Sequence, residues 1–81
     1  MQVTVYALST CPYCKMTRKY LSDEGVGFDA IEVDLLEGQA RADAIARVKE
    51  LSGGTSFPVV QIGDEVVVGF DKGRIKKLLA L

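Results

Sequence analysis

With 81 residues, 48% of them hydrophobic and 26% charged, the chain can bury one small core, is too apolar to stay disordered, and leaves no room for a second domain, so residues 1–81 are read as one domain. Ten basic residues against eleven acidic ones, a formal net charge of −1, argue against a nucleic-acid or anionic-membrane partner. No apolar run approaches the roughly 18 residues that cross a bilayer, Met1-Gln2-Val3-Thr4 does not open a basic and apolar leader, and two cysteines without histidine cannot complete an ordinary tetrahedral zinc site, so the expectation is a cytoplasmic monomer with no metal.

Val3, Val5 and Ala7 alternate with Thr4 and Tyr6, a period of two that predicts a first strand to about Leu8. Ser9-Thr10 then lead into Cys11-Pro12-Tyr13-Cys14, which holds both cysteines of the chain. Proline suits the first helical position, where its missing N–H is not needed, so Pro12 places Cys11 at the N-cap and Cys14 at the third helical residue. Tyr13, Met16, Tyr20 and Leu21 recur at helical spacing, and Gly25 or Gly27 ends that helix. Ile31, Val33 and Leu35 alternate with Ala30, Glu32 and Asp34 as a second strand, reached by a right-handed crossover and parallel to the first.

From Glu37 to Leu51, Ala40, Ala44, Ile45, Val48 and Leu51 share one helical face, with Arg41, Asp43, Arg47 and Lys49 on the other. Ser52-Gly53-Gly54-Thr55-Ser56 breaks this helix before Phe57-Pro58. Val59 to Ile62 and Val66 to Val68 form an antiparallel hairpin about Gly63-Asp64. Asp71 offers an N-cap to a last helix with Ile75, Leu78 and Leu79 as its apolar stripe and Lys76 and Lys77 near its negative end. The order βαβ, then α, then ββα calls for an α/β fold, a four-stranded mixed sheet with its three helices covering both faces.

The cysteine spacing points to a reversible switch rather than a clamp. A disulfide across four residues closes too small a loop to restrict the unfolded chain much. A helix starting at Cys11 aims free N–H groups and its positive end at that sulfur, favouring thiolate, whereas an unassisted thiol is only about 3% ionised at pH 7. Cys14, one turn inside, is the more shielded thiol. Lys15, Arg18 and Lys19 are the basic residues that could add positive potential.

Three signatures in order, Cys11-Pro12-Tyr13-Cys14 after the first strand, Phe57-Pro58 before the third and Gly69-Phe70-Asp71 before the last helix, make the chain resemble the glutaredoxins, which are minimal thioredoxin-fold proteins. The resemblance implies a thiol–disulfide oxidoreductase in which Cys11 attacks and Cys14 resolves the mixed disulfide, with Pro12 and Tyr13 beside the substrate. It implies a cis bond at Pro58, with Phe57 offering backbone groups to an extended substrate. Gly69, Phe70 and Asp71 correspond to the segment that holds the γ-glutamyl end of glutathione. The partners implied are disulfide-bearing client proteins, with glutathione as co-substrate and no tightly bound cofactor.

Two positions depart from the glutathione pattern. Leu8 stands where many glutaredoxins carry a basic residue, and Lys72 where a second acidic residue often follows the aspartate. The ribonucleotide-reductase-associated redoxins share this size and fold, lack a full glutathione site, and take electrons from thioredoxin reductase, which is the alternative donor here. A third reading, a [2Fe–2S] cluster shared by two protomers through Cys11 and two glutathione thiols, is disfavoured by the bulk of Tyr13.

Overall fold

Every strand contact in the fold runs through two central strands, β1 (Val3–Ala7) and β3 (Val59–Ile62). In a computed structural model, which describes residues 2–54 and 56–80, β2 (Asp29–Glu32) pairs parallel to β1, with Ala7 opposite Glu32. β3 runs antiparallel to β1 with Tyr6 opposite Val59, and β4 (Glu65–Val68) returns antiparallel to β3 through Gly63-Asp64, giving the order β2-β1-β3-β4.

The alternation of β1 sorts the core into two layers. Val3, Val5 and Ala7 join Val60, Ile62 and Val67 on one face, where Cys14 and Leu21 of α1 (Pro12–Asp23) and Ile75 of α3 (Lys72–Leu79) cover them. Tyr6 and Val59 face the other way, toward Val33 and the Ala44 and Val48 side chains of α2 (Gly38–Ser52). The expected mixed sheet with helices on both faces is therefore the observed one.

The structure corrects three local expectations. β2 stops at Glu32, and Val33–Leu35 form one turn of 3₁₀ helix in place of the strand's second half. The cause is Asp34, whose carboxylate accepts from the Ser9 backbone N–H at 2.9 Å and the Ser9 hydroxyl at 2.5 Å; the turn keeps Val33 buried and leaves Leu35 exposed. In α1 the core-facing stripe is Cys14, Thr17 and Leu21, while Tyr13 and Met16 are 62% and 48% exposed. Thr17 can be buried because its hydroxyl donates to the Tyr13 carbonyl at 2.9 Å. Ala40 is exposed, so the buried face of α2 begins only at Ala44.

The remaining boundaries follow the residues that set them. α1 ends before Gly25, and α2 is closed by Gly53, whose φ of +75° suits a residue without Cβ and whose N–H donates to the Lys49 carbonyl at 2.8 Å. Thr55, in the expected break after α2, lies outside the described residues. Asp71 caps α3 by accepting from the Arg74 N–H at 3.1 Å. Among the described residues, no helix is long and apolar enough to cross a membrane.

The Ser9–Asp34 tie gives the first testable consequence. The hydrogen bonds from Ser9, side chain first and then backbone, hold the Asp34 carboxyl below its ordinary value. A carboxyl whose folded value is depressed stabilises the fold above its unfolded pKa of about 3.9, and that contribution is lost as pH falls through the folded value. Ser9→Ala should therefore lower the unfolding temperature at pH 7, and the gap to wild type should shrink below about pH 4; thermal melts across that range check it, and a gap independent of pH would contradict it.

Candidate functional site at the start of the first helix

The cysteines lie where β1 gives way to α1. The Cys11 N–H donates to the Leu8 carbonyl at 3.2 Å, turning the chain at the end of β1, and Ser9 in that turn is held by Asp34. Cys11 itself is extended (φ −83°, ψ 118°) and is the N-cap, Pro12 occupies the first turn, and the Cys14 N–H donates to the Cys11 Sγ at 3.3 Å. A sulfur thus takes the place that a serine or aspartate oxygen usually fills, accepting one of the helix's free donors.

The two thiols, both free, are unequal. Cys11 is half-buried and Cys14 fully buried. Burial works against ionisation of Cys11, but hydrogen bonds from Cys14, side chain and backbone, and from the Tyr13 backbone outweigh it, with help from the Arg18 charge, and hold the thiol below its ordinary value. Cys14 is pushed up to about 11 by burial, by its hydrogen bond to Cys11 and by the negative charge it would share with Cys11. The arrangement thus makes Cys11 the more easily ionised thiol and keeps Cys14 the more firmly protonated one.

Of the three basic residues on α1, the structure brings Arg18 into play. Its guanidinium lies 2.7 Å from the Glu32 carboxylate, at the end of β2 next to Ala7. Lys15 is exposed, and Lys19 is exposed and paired with Asp23 at 3.0 Å. Arg18 was legible as one turn beyond Cys14, but its anchor depends on where β2 stops.

The other two signatures converge on the same end of the sheet. Val59 opposite both Tyr6 and Val68 places Phe57-Pro58 beside the end of β1 and the start of the segment after β4. The Phe57–Pro58 bond is cis, as expected, and Pro58 is buried. Gly69, at φ +80°, donates its N–H to the Pro58 carbonyl at 2.7 Å, and the Asp71 N–H donates to the Gly69 carbonyl at 3.2 Å. Phe70 meets the Tyr20 ring edge-on at 6.2 Å, and the Lys72 ammonium lies 5.2 Å from the centre of the same ring, so Lys72 is engaged by α1. Cys11, Phe57 and Phe70 all pack against the core layer that contains Cys14.

Leu8 lines a cleft of about 150 Å³ with Val33, Ile45, Val48 and Phe57, and Asp34 and Arg41 complete its lining. Arg41, assigned by its spacing to the polar face of α2, is the functional candidate that the linear pattern concealed: only the packing of α2 brings it to the cleft beside Leu8.

The glutaredoxin family model matches residues 3–67, most of the chain. The chain belongs to the glutaredoxin family. Its backbone is similar to the crystal structure of a glutaredoxin from Archaeoglobus fulgidus, with a TM-score of 0.92 and 45% identity over 96% of this chain and 85% of that one. It is also similar to the crystal structure of the methanoredoxin of Methanosarcina acetivorans, with a TM-score of 0.94 and 37% identity over 99% of this chain and 85% of that one. A glutaredoxin-like protein NrdH of Lactococcus lactis is 33% identical over 76 residues, 94% of this chain and 97% of its own length. Glutaredoxins are thiol–disulfide oxidoreductases, and the chain is an enzyme of that class.

The inequality of the thiols is measurable. Iodoacetamide alkylation followed against pH should give a midpoint for Cys11 below the ordinary thiol value of about 8.5, with Cys14 unreactive until well above it. Equal midpoints for the two cysteines would contradict the geometry.

Proposed function

We propose that this glutaredoxin-family enzyme reduces protein disulfides and glutathione mixed disulfides through Cys11 and Cys14, with Cys11 as nucleophile. The observation that carries the reading is the capped sulfur: Cys11 accepts the Cys14 N–H at 3.3 Å and is held below its ordinary value while Cys14 is held above it. Cys11 thiolate attacks one sulfur of the client disulfide, the S–S bond breaks, and the departing sulfur leaves as thiolate. Cys11 has then lost its negative charge, so one of the causes that keep Cys14 protonated disappears. Cys14 passes its proton to the client thiolate just released and, as a thiolate, attacks the Cys11 sulfur. The second client thiol leaves, two electrons have passed to the client, and the enzyme holds a Cys11–Cys14 disulfide.

In this reading Phe57 supplies its backbone to the substrate alongside Pro58, and Pro12 and exposed Tyr13 border the approach to Cys11. Gly69, Phe70 and Asp71, linked to Pro58 through the Gly69 N–H, form the opposite wall and offer the start of α3 to a carboxylate. Client recognition and electron supply thus share one surface.

Two glutathione molecules, oxidised to their disulfide, or thioredoxin reductase can return the enzyme to its dithiol form. Leu8 itself favours a weak hold on glutathione, because it cannot make the charge-assisted bond a lysine would offer at that position. One such bond is worth roughly 1.5–3 kcal/mol, or about ten- to a hundredfold in affinity, which lowers glutathione use without abolishing it at millimolar concentration. A reducing compartment such as the cytoplasm suits a resting dithiol.

Coupled NADPH assays, with glutathione and its reductase or with thioredoxin reductase alone, test both parts. Cys11→Ser should abolish turnover in each. Cys14→Ser should keep glutathione-dependent turnover on mixed disulfides and lose reduction of protein disulfides. Leu8→Lys should raise glutathione-dependent turnover about tenfold at subsaturating glutathione. Equal loss in both cysteine variants on both substrates would overturn the division of roles, and wild-type saturation at low glutathione with no response to thioredoxin reductase would overturn the account of Leu8.

A further inference from the structure

We infer that Glu32 is a positioning residue for the nucleophile: it anchors Arg18 in the middle of α1, two turns from Cys11, and offsets part of the guanidinium charge, so the pair sets how much positive field reaches Cys11. The inference rests on the reading of Cys11 as nucleophile.

The geometry separates this ion pair from the others. Arg18 follows Cys14 by one helical turn and Cys11 by two, which keeps all three on one side of α1. Its side chain is 21% exposed and that of Glu32 33%, whereas Lys19–Asp23, Arg47–Glu50 and Arg74–Glu65 have both partners more than 40% exposed. Glu32 closes β2 opposite Ala7, so the contact lies level with the point where β1 enters the Leu8–Cys11 turn. Solvent and salt screen a charge less in that setting than on the open surface.

Each element brings its own ionisable groups to this end of the fold. α1 carries Cys14 and Lys15, the 3₁₀ turn carries Asp34, α2 carries Arg41, and α3 carries Lys72 behind its cap Asp71. Asp34 is tied to Ser9, Asp71 caps α3 and Lys72 lies over Tyr20. Among the described residues, Glu32 is the carboxylate in salt-bridge contact with Arg18. The Arg18 charge favours the ionised form of both cysteines, which supports the geometric argument.

Substitutions can divide anchoring from charge. Glu32→Gln keeps an oxygen that accepts from the guanidinium and removes the opposing charge, so Cys11 should ionise at lower pH. Arg18→Met keeps much of the side chain's bulk and removes the positive charge, so the shift should reverse. Arg18→Lys should stay near wild type.

The experiment is the pH dependence of iodoacetamide alkylation on the full chain, with the label located by mass spectrometry and folding checked by thermal melts. Below the midpoint, Glu32→Gln should raise the Cys11 thiolate fraction about threefold and Arg18→Met should lower it by a similar factor, as expected for one partly screened charge. The limiting rate at high pH should fall slightly in Glu32→Gln, because a more acidic thiolate is a weaker nucleophile. A loosened fold would not produce these opposite signs.

Midpoints unchanged in both charge-altering variants, or raised in both, would overturn the inference. If one of them does not fold, the sign of the other decides. A wild-type label on Cys14, or a wild-type Cys11 midpoint near 8.5, would instead overturn the assignment of the nucleophile.

Discussion

The hydrogen bond from the Cys14 N–H to the Cys11 sulfur, 3.3 Å long, is the interaction on which the site depends. Helix starts have free N–H donors, and a thiolate is a softer acceptor than the oxygen that ordinarily caps them. By using sulfur there, the chain makes one contact serve both the helix and the reactivity of the cysteine. The same helix turn buries Cys14, so the inequality of the thiols follows from position along α1 rather than from net charge. Reactivity is local, and a chain of net charge −1 can still stabilise a thiolate.

That contact is useful only because the surrounding backbone holds it in place. The Leu8 carbonyl and the Asp34 carboxylate fix the turn leading into Cys11, one through the Cys11 N–H and the other through Ser9. On the opposite side, the Gly69 N–H ties the segment before α3 to Pro58. Four stretches are therefore joined in two pairs at one end of the sheet, the Leu8–Cys11 turn to Asp34 and Pro58 to Gly69.

Much of this was legible before the structure because it obeys short-range rules. The alternation of Val3, Val5 and Ala7 placed β1, Pro12 placed the start of α1, and Asp71 placed the cap of α3. The errors came where a long-range partner outweighed a local period. Asp34 in an alternating run suggests a strand, and nothing nearby in sequence says that its carboxylate will be taken by Ser9, 25 residues earlier. Tyr13 and Met16 fit a helical stripe, yet the sheet selects the neighbouring stripe with Cys14, Thr17 and Leu21. Arg18 and Arg41 were visible as basic residues on helices, but the contact with Glu32 and the place beside Leu8 depend on tertiary packing.

The most direct test of the central contact is an amide NMR titration of the reduced protein. If the Cys14 N–H caps the Cys11 sulfur, its proton and nitrogen shifts should move with a midpoint equal to that of Cys11 ionisation and below the ordinary thiol value of about 8.5, before Cys14 itself loses a proton. A Cys14 amide that stays flat while Cys11 titrates, or moves only with the later ionisation of Cys14, would show that the helix start does not hold the thiolate.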